Sequence, residues 1–300
     1  MDFGIALPTY PAGATVEGTV KVAQAAERLG FRSAWTTDHV IMPAEQAGPY
    51  REIFEPLMML GYLAALTSKV TLGISVIVVP QRNGIVLAKQ LATLDHLCQG
   101  RLIVGVGAGW NEREFEMLDA ADRYHRRGAY LNETIHVWQH LWTTPEQPFE
   151  GEFYHLEDVA FGPLPYTAGG PAIWVGGQSL GARRRAGRYG AAWHPVGISA
   201  ADLADQFGVV RAAAEQAGRP APAAVPRLPM RFSVGGGPMN ANRTIRVLEG
   251  EPAQIVEAIN EYASAGASEI ICHFGTPDGD EVVDSMERFA SEVMPHFQGE

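Results

Sequence analysis

Leu29-Gly30-Phe31-Arg32-Ser33-Ala34-Trp35 carries the end of a helix-like stretch into a short apolar run, with a glycine at the seam. The same grammar returns at Gln99-Gly100-Arg101-Leu102-Ile103-Val104, at Tyr189-Gly190-Ala191-Ala192-Trp193 and at Ala265-Gly266-Ala267-Ser268-Glu269-Ile270-Ile271. Glycine suits the left-handed position just past a helix C-terminus, and the residues that follow are strand-like. Recurrent helix, glycine, strand joints call for parallel strands alternating with covering helices.

Working outward from these seams, the expected strands are Phe3–Leu7, Ser33–Thr37, Val70–Val78, Leu102–Val106, Ile173–Gly176, Ala192–His194, Arg227–Val234 and Glu269–His273. The expected helices are Thr15–Leu29, Pro56–Thr67, Gly84–Cys98, Arg126–Trp142, Ser179–Tyr189, Ala200–Ala217, Pro252–Ala265 and Gly279–Phe297. Eight of each predicts an α/β fold of the (β/α)8 TIM-barrel type, and the 300 residues match the roughly 250 of such a barrel folding as one domain over residues 1–300. Val16, Val20, Ala23 and Ala26 give the first helix an apolar stripe for packing on the barrel. Two segments are too long for ordinary connections, Asp38–Phe54 and Thr143–Gly170, the latter with the hairpin-like Phe149-Glu150-Gly151-Glu152-Phe153-Tyr154; Gly235-Gly236-Gly237-Pro238 opens another loop. They are read as insertion loops at the C-terminal face, where a barrel keeps its active site, with Tyr50 and Phe54 bounding the pocket.

Hydrophobic residues make up 46% and charged residues 19%, an ordinary globular composition. The net charge of -11 excludes nonspecific nucleic-acid binding, which needs an excess of Lys and Arg. Cys98 and Cys272 supply neither a disulfide framework nor a cysteine-rich zinc site, which fits a reducing cytoplasm. Met1–Leu7 has no basic flank and does not read as a signal peptide, and no apolar run approaches the roughly 20 residues that span a bilayer. A cytoplasmic location with no membrane partner is expected.

Several motifs bear on chemistry. Gly105-Val106-Gly107-Ala108-Gly109-Trp110 follows a strand, but Trp110 stands where a dinucleotide fingerprint needs its third glycine, so a tight turn is favoured, with Trp110-Asn111 as a cofactor wall. Gly177-Gln178-Ser179-Leu180-Gly181 fits the nucleophile elbow of hydrolases, with Asp202 or Asp205 and His273 as nominal partners. The competing use of the same residues is anion binding at a helix start, which Gly176-Gly177 would let a ligand approach closely. His39, after Asp38 and just past the second strand, is placed to move a proton. His194 and His273 end strands and could line the pocket. His136 and His140 lack the intervening glutamate of a zinc protease, so no metal site is expected. Arg183-Arg184-Arg185 reads as a solvated helix face.

Taken together, Trp35-Thr36-Thr37-Asp38-His39, Leu72-Gly73-Ile74-Ser75-Val76, Ala88-Lys89-Gln90-Leu91-Ala92-Thr93-Leu94-Asp95 through Gly100-Arg101, Gly105 to Glu112 and Gly176-Gly177-Gln178-Ser179 resemble the luciferase-like monooxygenase superfamily. Within it the chain looks most like the oxidoreductases that use coenzyme F-420, a deazaflavin. The resemblance covers nearly the whole chain. It implies a bulged third strand with a cis peptide between Ser75 and Val76, both backing the ring of the cofactor. It gives His39 the proton, with Asp38 orienting the loop, and gives Gly176, Gly177, Gln178 and Ser179 the cofactor phosphate.

The activity implied is hydride transfer between coenzyme F-420 and a small organic substrate. FMN-dependent members share the barrel, so the alternative is an FMN-dependent monooxygenase using oxygen and reduced flavin from a partner reductase; a Ser179 hydrolase stands third. Arg51, Arg82, Arg113 and Arg243 lie in loops suited to the acidic tail of coenzyme F-420. A homodimer is the expected assembly.

Overall fold

The helices begin where a short polar side chain can accept the amides that a first turn leaves free. Thr15, Asn83, Ser179, Ser199 and Asp278 each do so, satisfying donors that would otherwise be orphaned. In a computed structural model, which describes residues 1–10, 12–232 and 247–297, these caps start α1 (Val16–Leu29), α3 (Gly84–Leu97), α5 (Leu180–Tyr189), α6 (Ala200–Gln216) and α8 (Gly279–Glu292). The remaining covering helices are α2 (Pro56–Leu66), α4 (Arg127–Thr143) and α7 (Pro252–Ser264). Between them run β1 (Asp2–Ala6), β2 (Ser33–Thr36), β3 (Thr71–Val78), β4 (Leu102–Gly107), β5 (Ala172–Gly176), β6 (Ala192–His194), β7 (Arg227–Phe232) and β8 (Glu269–His273).

These strands pair in parallel in the order β7-β8-β1-β2-β3-β4-β5-β6, with the short strands Leu248–Gly250 beside β7 and Ala223–Ala224 beside β6. Parallel bridges Val196↔Arg227 and Ala224↔Ala267 join the two ends, so the sheet curls into the expected barrel. Arg227 is the seam of that closure. Its amide donates to the Pro195 carbonyl at 2.8 Å and its carbonyl accepts from Gly197 at 2.9 Å. Among the described residues no helix is long and apolar enough to cross a membrane.

Three of the glycine seams are left-handed, Gly30 (φ 82°), Gly100 (φ 79°) and Gly266 (φ 98°). Gly190 is different. Its φ is -81°, and it is glycine for room, because a Cβ there would stand 2.9 Å from the Ala186 carbonyl and 3.0 Å from that of Ala192.

The structure corrects three expectations. On α1 the buried face is Thr19, Val22, Ala23, Ala25 and Ala26, while Val16 is exposed. The insertion Thr143–Gly170 forms its small antiparallel hairpin (Phe149–Glu150 with His155–Leu156), but it lies at the N-terminal end of the barrel. It links the end of α4 to the start of β5, and an αβ connection returns to the strand N-termini by construction. There the Thr167 amide donates to Asp95 at 2.7 Å and His96 meets the Leu164 carbonyl at 2.8 Å. Phe54 packs against the core, leaving Tyr50 as the aromatic of its loop at the mouth. The Gly235–Pro238 loop, Arg243 and the end of the expected seventh strand fall outside the described residues.

Glu27 ties α1 to the entrance of β3, its carboxylate accepting the amides of Ser68, Lys69 and Val70 at 2.8, 2.6 and 3.1 Å and the Ser68 hydroxyl at 2.8 Å. Partial burial pushes this carboxyl up, but those four hydrogen bonds outweigh it and bring it from 4.5 to about 2. A carboxyl depressed in the folded state stabilises the protein above its unfolded value and loses that contribution as pH falls. Urea unfolding should therefore lose stability between pH 4.5 and about 2, and Glu27→Gln should flatten that slope.

Candidate active site

The mouth of the barrel is shaped by an irregularity in β3. Its register against β4 shifts between Ile74 and Ile77, and the Ser75–Val76 peptide is cis, as expected. Val76 fills space that its neighbours leave open. A Cβ on Gly107 would come within 2.6 Å of the Val76 side chain, and one on Gly176 within 2.8 Å. Glycine on β4 and β5 is thus the condition for the bulge, and it leaves bare main chain along one side of the mouth. Ser75 is fixed from below by His194, whose Nε2 lies 2.7 Å from the Ser75 hydroxyl and whose Nδ1 lies 2.6 Å from the Val225 carbonyl. Burial pushes this imidazole down to about 4. It is therefore neutral near pH 7, donating from Nδ1 to the carbonyl and accepting the serine hydroxyl at Nε2.

The loop after β2 is locked by two carboxylates. Asp38, fully enclosed, receives both Nη groups of Arg82 at 2.8 Å and the Val78 amide at 2.8 Å. Its oxygens are thereby committed to holding the loop against the end of β3, which makes it a positioning residue. Its neighbour His39 presents Nδ1 to Glu114 at 3.0 Å, and the other Glu114 oxygen accepts the amides of Val40 at 3.0 Å and Ile41 at 3.4 Å. Burial would raise the Glu114 carboxyl, but hydrogen bonds, that from His39 foremost, hold it below its ordinary value. An ionised Glu114 accepts, so His39 Nδ1 carries the hydrogen and Nε2 is left without a protein partner among the described residues.

His39, Asp38, Ser75, Val76, Trp110, Gly176, Gly177, Gln178 and Ser179 all border one cavity of about 650 Å³, within the range of small-molecule and cofactor sites. One side is main chain and a helix start, running from Gly107–Gly109 to Gly177 (φ 98°) and the Ser179 cap of α5. The opposite side is aromatic. Tyr50 lies 4.4 Å from His39 and 5.1 Å from Tyr10, ring centre to ring centre, and Tyr10 lies 5.8 Å from His273. Trp110 stands at the rim, 58% exposed.

Asn111 does not reach the cavity. It caps the short helix Glu112–Met117 by accepting the Glu114 amide at 3.2 Å and donates to Gln46 at 2.7 Å. Of the arginines considered for an acidic tail, Arg82 is taken by Asp38, Arg113 pairs with Glu45, and Arg51 donates to the Ala44 carbonyl. The cavity instead holds Arg185 and Arg227. The Arg183–Arg185 run is therefore not a uniformly solvated face: Arg184 is exposed, whereas Arg185 is 8% exposed and donates to Asn132 at 2.6 Å and the Gly128 carbonyl at 3.0 Å.

Ser179 is not assembled as a nucleophile. Its hydroxyl accepts the Ala182 amide at 3.2 Å, no imidazole meets it among the described residues, and Asp202 bonds Ser199. Glu114 is one of the residues that motif reading missed. Its signal was the Asn-x-x-Glu spacing of a helix N-terminus, with the glutamate diverted from the cap to His39.

A family model described as luciferase-like monooxygenase matches residues 1–246. The phthiodiolone/phenolphthiodiolone dimycocerosates ketoreductase of Mycobacterium tuberculosis is 31% identical over 230 residues, 71% of this chain and 58% of that one. The chain spans less than two thirds of the length of the curated relatives it matches first. Among solved structures, an F-420-dependent secondary alcohol dehydrogenase in complex with an F-420-acetone adduct superposes with a TM-score of 0.83, at 17% identity over 99% of both chains. The oxygenating constituent of 3,6-diketocamphane monooxygenase from Pseudomonas putida, in complex with FMN, gives 0.79 at 18% identity, over 99% of this chain and 98% of that one. At such identities the likeness is one of fold.

Removing one partner of an enclosed ion pair strands the other. Asp38→Asn should cost about 3–5 kcal/mol in urea unfolding.

Proposed function

This chain belongs to the luciferase-like monooxygenase family, and from that premise we propose that it is an oxidoreductase passing a hydride between coenzyme F-420 and the carbonyl or alcohol carbon of a small substrate. The observation that carries the reading is the His39–Glu114 pair, which fixes the imidazole and leaves Nε2 at the cavity.

The residues present fit the cofactor. A side chain at 176 would collide with Val76, Gly177 is left-handed, and α5 begins at Ser179, so main-chain donors and a helix N-terminus can approach a phosphate without hindrance. Arg185 adds a positive charge beside that cradle. Ser75 and Val76 would back the ring, and Gln178, whose amide is tied to the Val196 carbonyl at 2.7 Å, would close the phosphate side. When bound, the cofactor supplies or takes the hydride.

The chain supplies the rest. His39 Nε2 donates a proton to the carbonyl oxygen in reduction and removes it in oxidation, while Glu114 holds the ring orientation and steadies its protonated form. Tyr10, Tyr50 and Trp110 shield the reacting carbon from water. The ketoreductase relative, by its name, supports carbonyl chemistry.

The first test is titration of the protein with coenzyme F-420 and separately with FMN, following cofactor fluorescence. Tight binding of coenzyme F-420, with oxygen-independent turnover, is expected; binding of FMN alone with oxygen consumption would replace this reading by an FMN-dependent monooxygenase fed by a reductase. His39→Ala should lower kcat by about 10²–10⁴-fold with cofactor affinity nearly unchanged. Loss of binding with turnover preserved would overturn the role given to His39.

A further inference from the structure

Arg227 is a buried cation without a counter-anion. It is 4% exposed and borders the cavity, yet its partners are all neutral. Nη1 donates to the Thr37 hydroxyl at 2.7 Å and the Ser75 carbonyl at 3.3 Å, with the Ser75 hydroxyl at 3.5 Å, and Nη2 donates to the Tyr10 hydroxyl at 2.5 Å. No carboxylate lies within ion-pair distance among the described residues. Nor can the chain that follows β7 provide one, since residues 233–246 contain no Asp or Glu. Asp38, the one carboxylate bordering the cavity among the described residues, is already neutralised by Arg82, and Glu114 lies behind His39.

An enclosed guanidinium costs several kcal/mol of lost hydration, which an anion in contact with it offsets. The neighbouring His273 cannot compete for that anion, because burial and then the Arg227 charge push it down to about 3 and leave it neutral. Arg227 is also rigid, since its own main chain closes the barrel through Pro195 and Gly197. Through Tyr10 it reaches the aromatic side that carries His39, and through Ser75 it touches the bulge of β3. A planar guanidinium with unused N–H groups matches a carboxylate.

We propose that Arg227 forms a monoanion subsite at the inner end of the cavity, and that the substrate is a keto acid whose carboxylate binds this guanidinium. The proposal names the substrate class of the oxidoreductase reading and rests on it for the carbonyl. The carboxylate subsite itself is tested without turnover.

The test is calorimetric titration of the full chain with benzoylformate and with its methyl ester, a pair that differs in the negative charge. Wild type is expected to bind the acid about tenfold or more tightly than the ester. Arg227→Met should abolish that preference, and Arg227→Lys should retain part of it. Equal binding of acid and ester by wild type overturns the proposal even if Arg227→Met fails to fold, as does a preference that survives in a folded Arg227→Met. A second arm repeats the titration with coenzyme F-420 bound. The acid preference is expected to persist, and its disappearance would assign the cation to the cofactor ring and overturn the substrate subsite. Failure of coenzyme F-420 to bind counts against the cofactor assignment alone, because the first arm is read without it.

Discussion

The Asp38 carboxylate, sealed from solvent, can stay charged only if it is fully paired, and the way it is paired arranges the mouth of the barrel. One oxygen takes the Val78 amide and both take Arg82, so the end of β2 is held against the end of β3. His39 follows directly in sequence and inherits that placement. The bulge at Ser75–Val76 lies just upstream of Val78 on the same strand. A single buried charge therefore sets the spacing between the imidazole and the irregular backbone.

Around this clamp the cavity divides by material. Its glycine side offers main-chain groups and a helix terminus, suited to a ligand whose phosphate and flat ring need close approach. Its other side offers rings, an imidazole fixed by Glu114 and the Arg227 guanidinium. Among the described residues, two cations without a counter-anion border the cavity, Arg185 near the cradle and Arg227 near the aromatics. In a chain of net charge -11, this concentrates positive potential inside the pocket while the surface remains acidic.

Much of this was legible from residues. The helix, glycine, strand seams located the alternation because three of the four glycines meet a left-handed requirement that is local to the chain. The motifs around Asp38-His39, Ser75-Val76 and Gly176-Gly177 fell on one cavity. What escaped were features set by three-dimensional neighbours. The length of the Thr143–Gly170 insertion was visible but its end of the barrel was misjudged, because a segment that precedes a strand returns to that strand's N-terminus. Arg227 gave no signal, since strands buried on both faces lack the alternation that would mark an inward charge. Arg185 was concealed in an arginine run, although three consecutive residues on a helix span about 200° and cannot all share the solvent face. Glu114 was hidden by doing something other than capping its own helix.

The glycine wall has an evolutionary consequence. Main chain cannot be altered by a point substitution, and at Gly107 and Gly176 even a methyl group meets Val76. That half of the cavity is closed to gradual change, so lineages can drift on the opposite side without losing the bare main chain of this one. Tyr10 follows β1 and Tyr50 lies in the short 3-10 helix Gly48–Arg51, and both contribute side chains, not main chain, to the cavity. Variation among descendants of this barrel should accumulate there, one half inherited nearly intact and the other free to diverge.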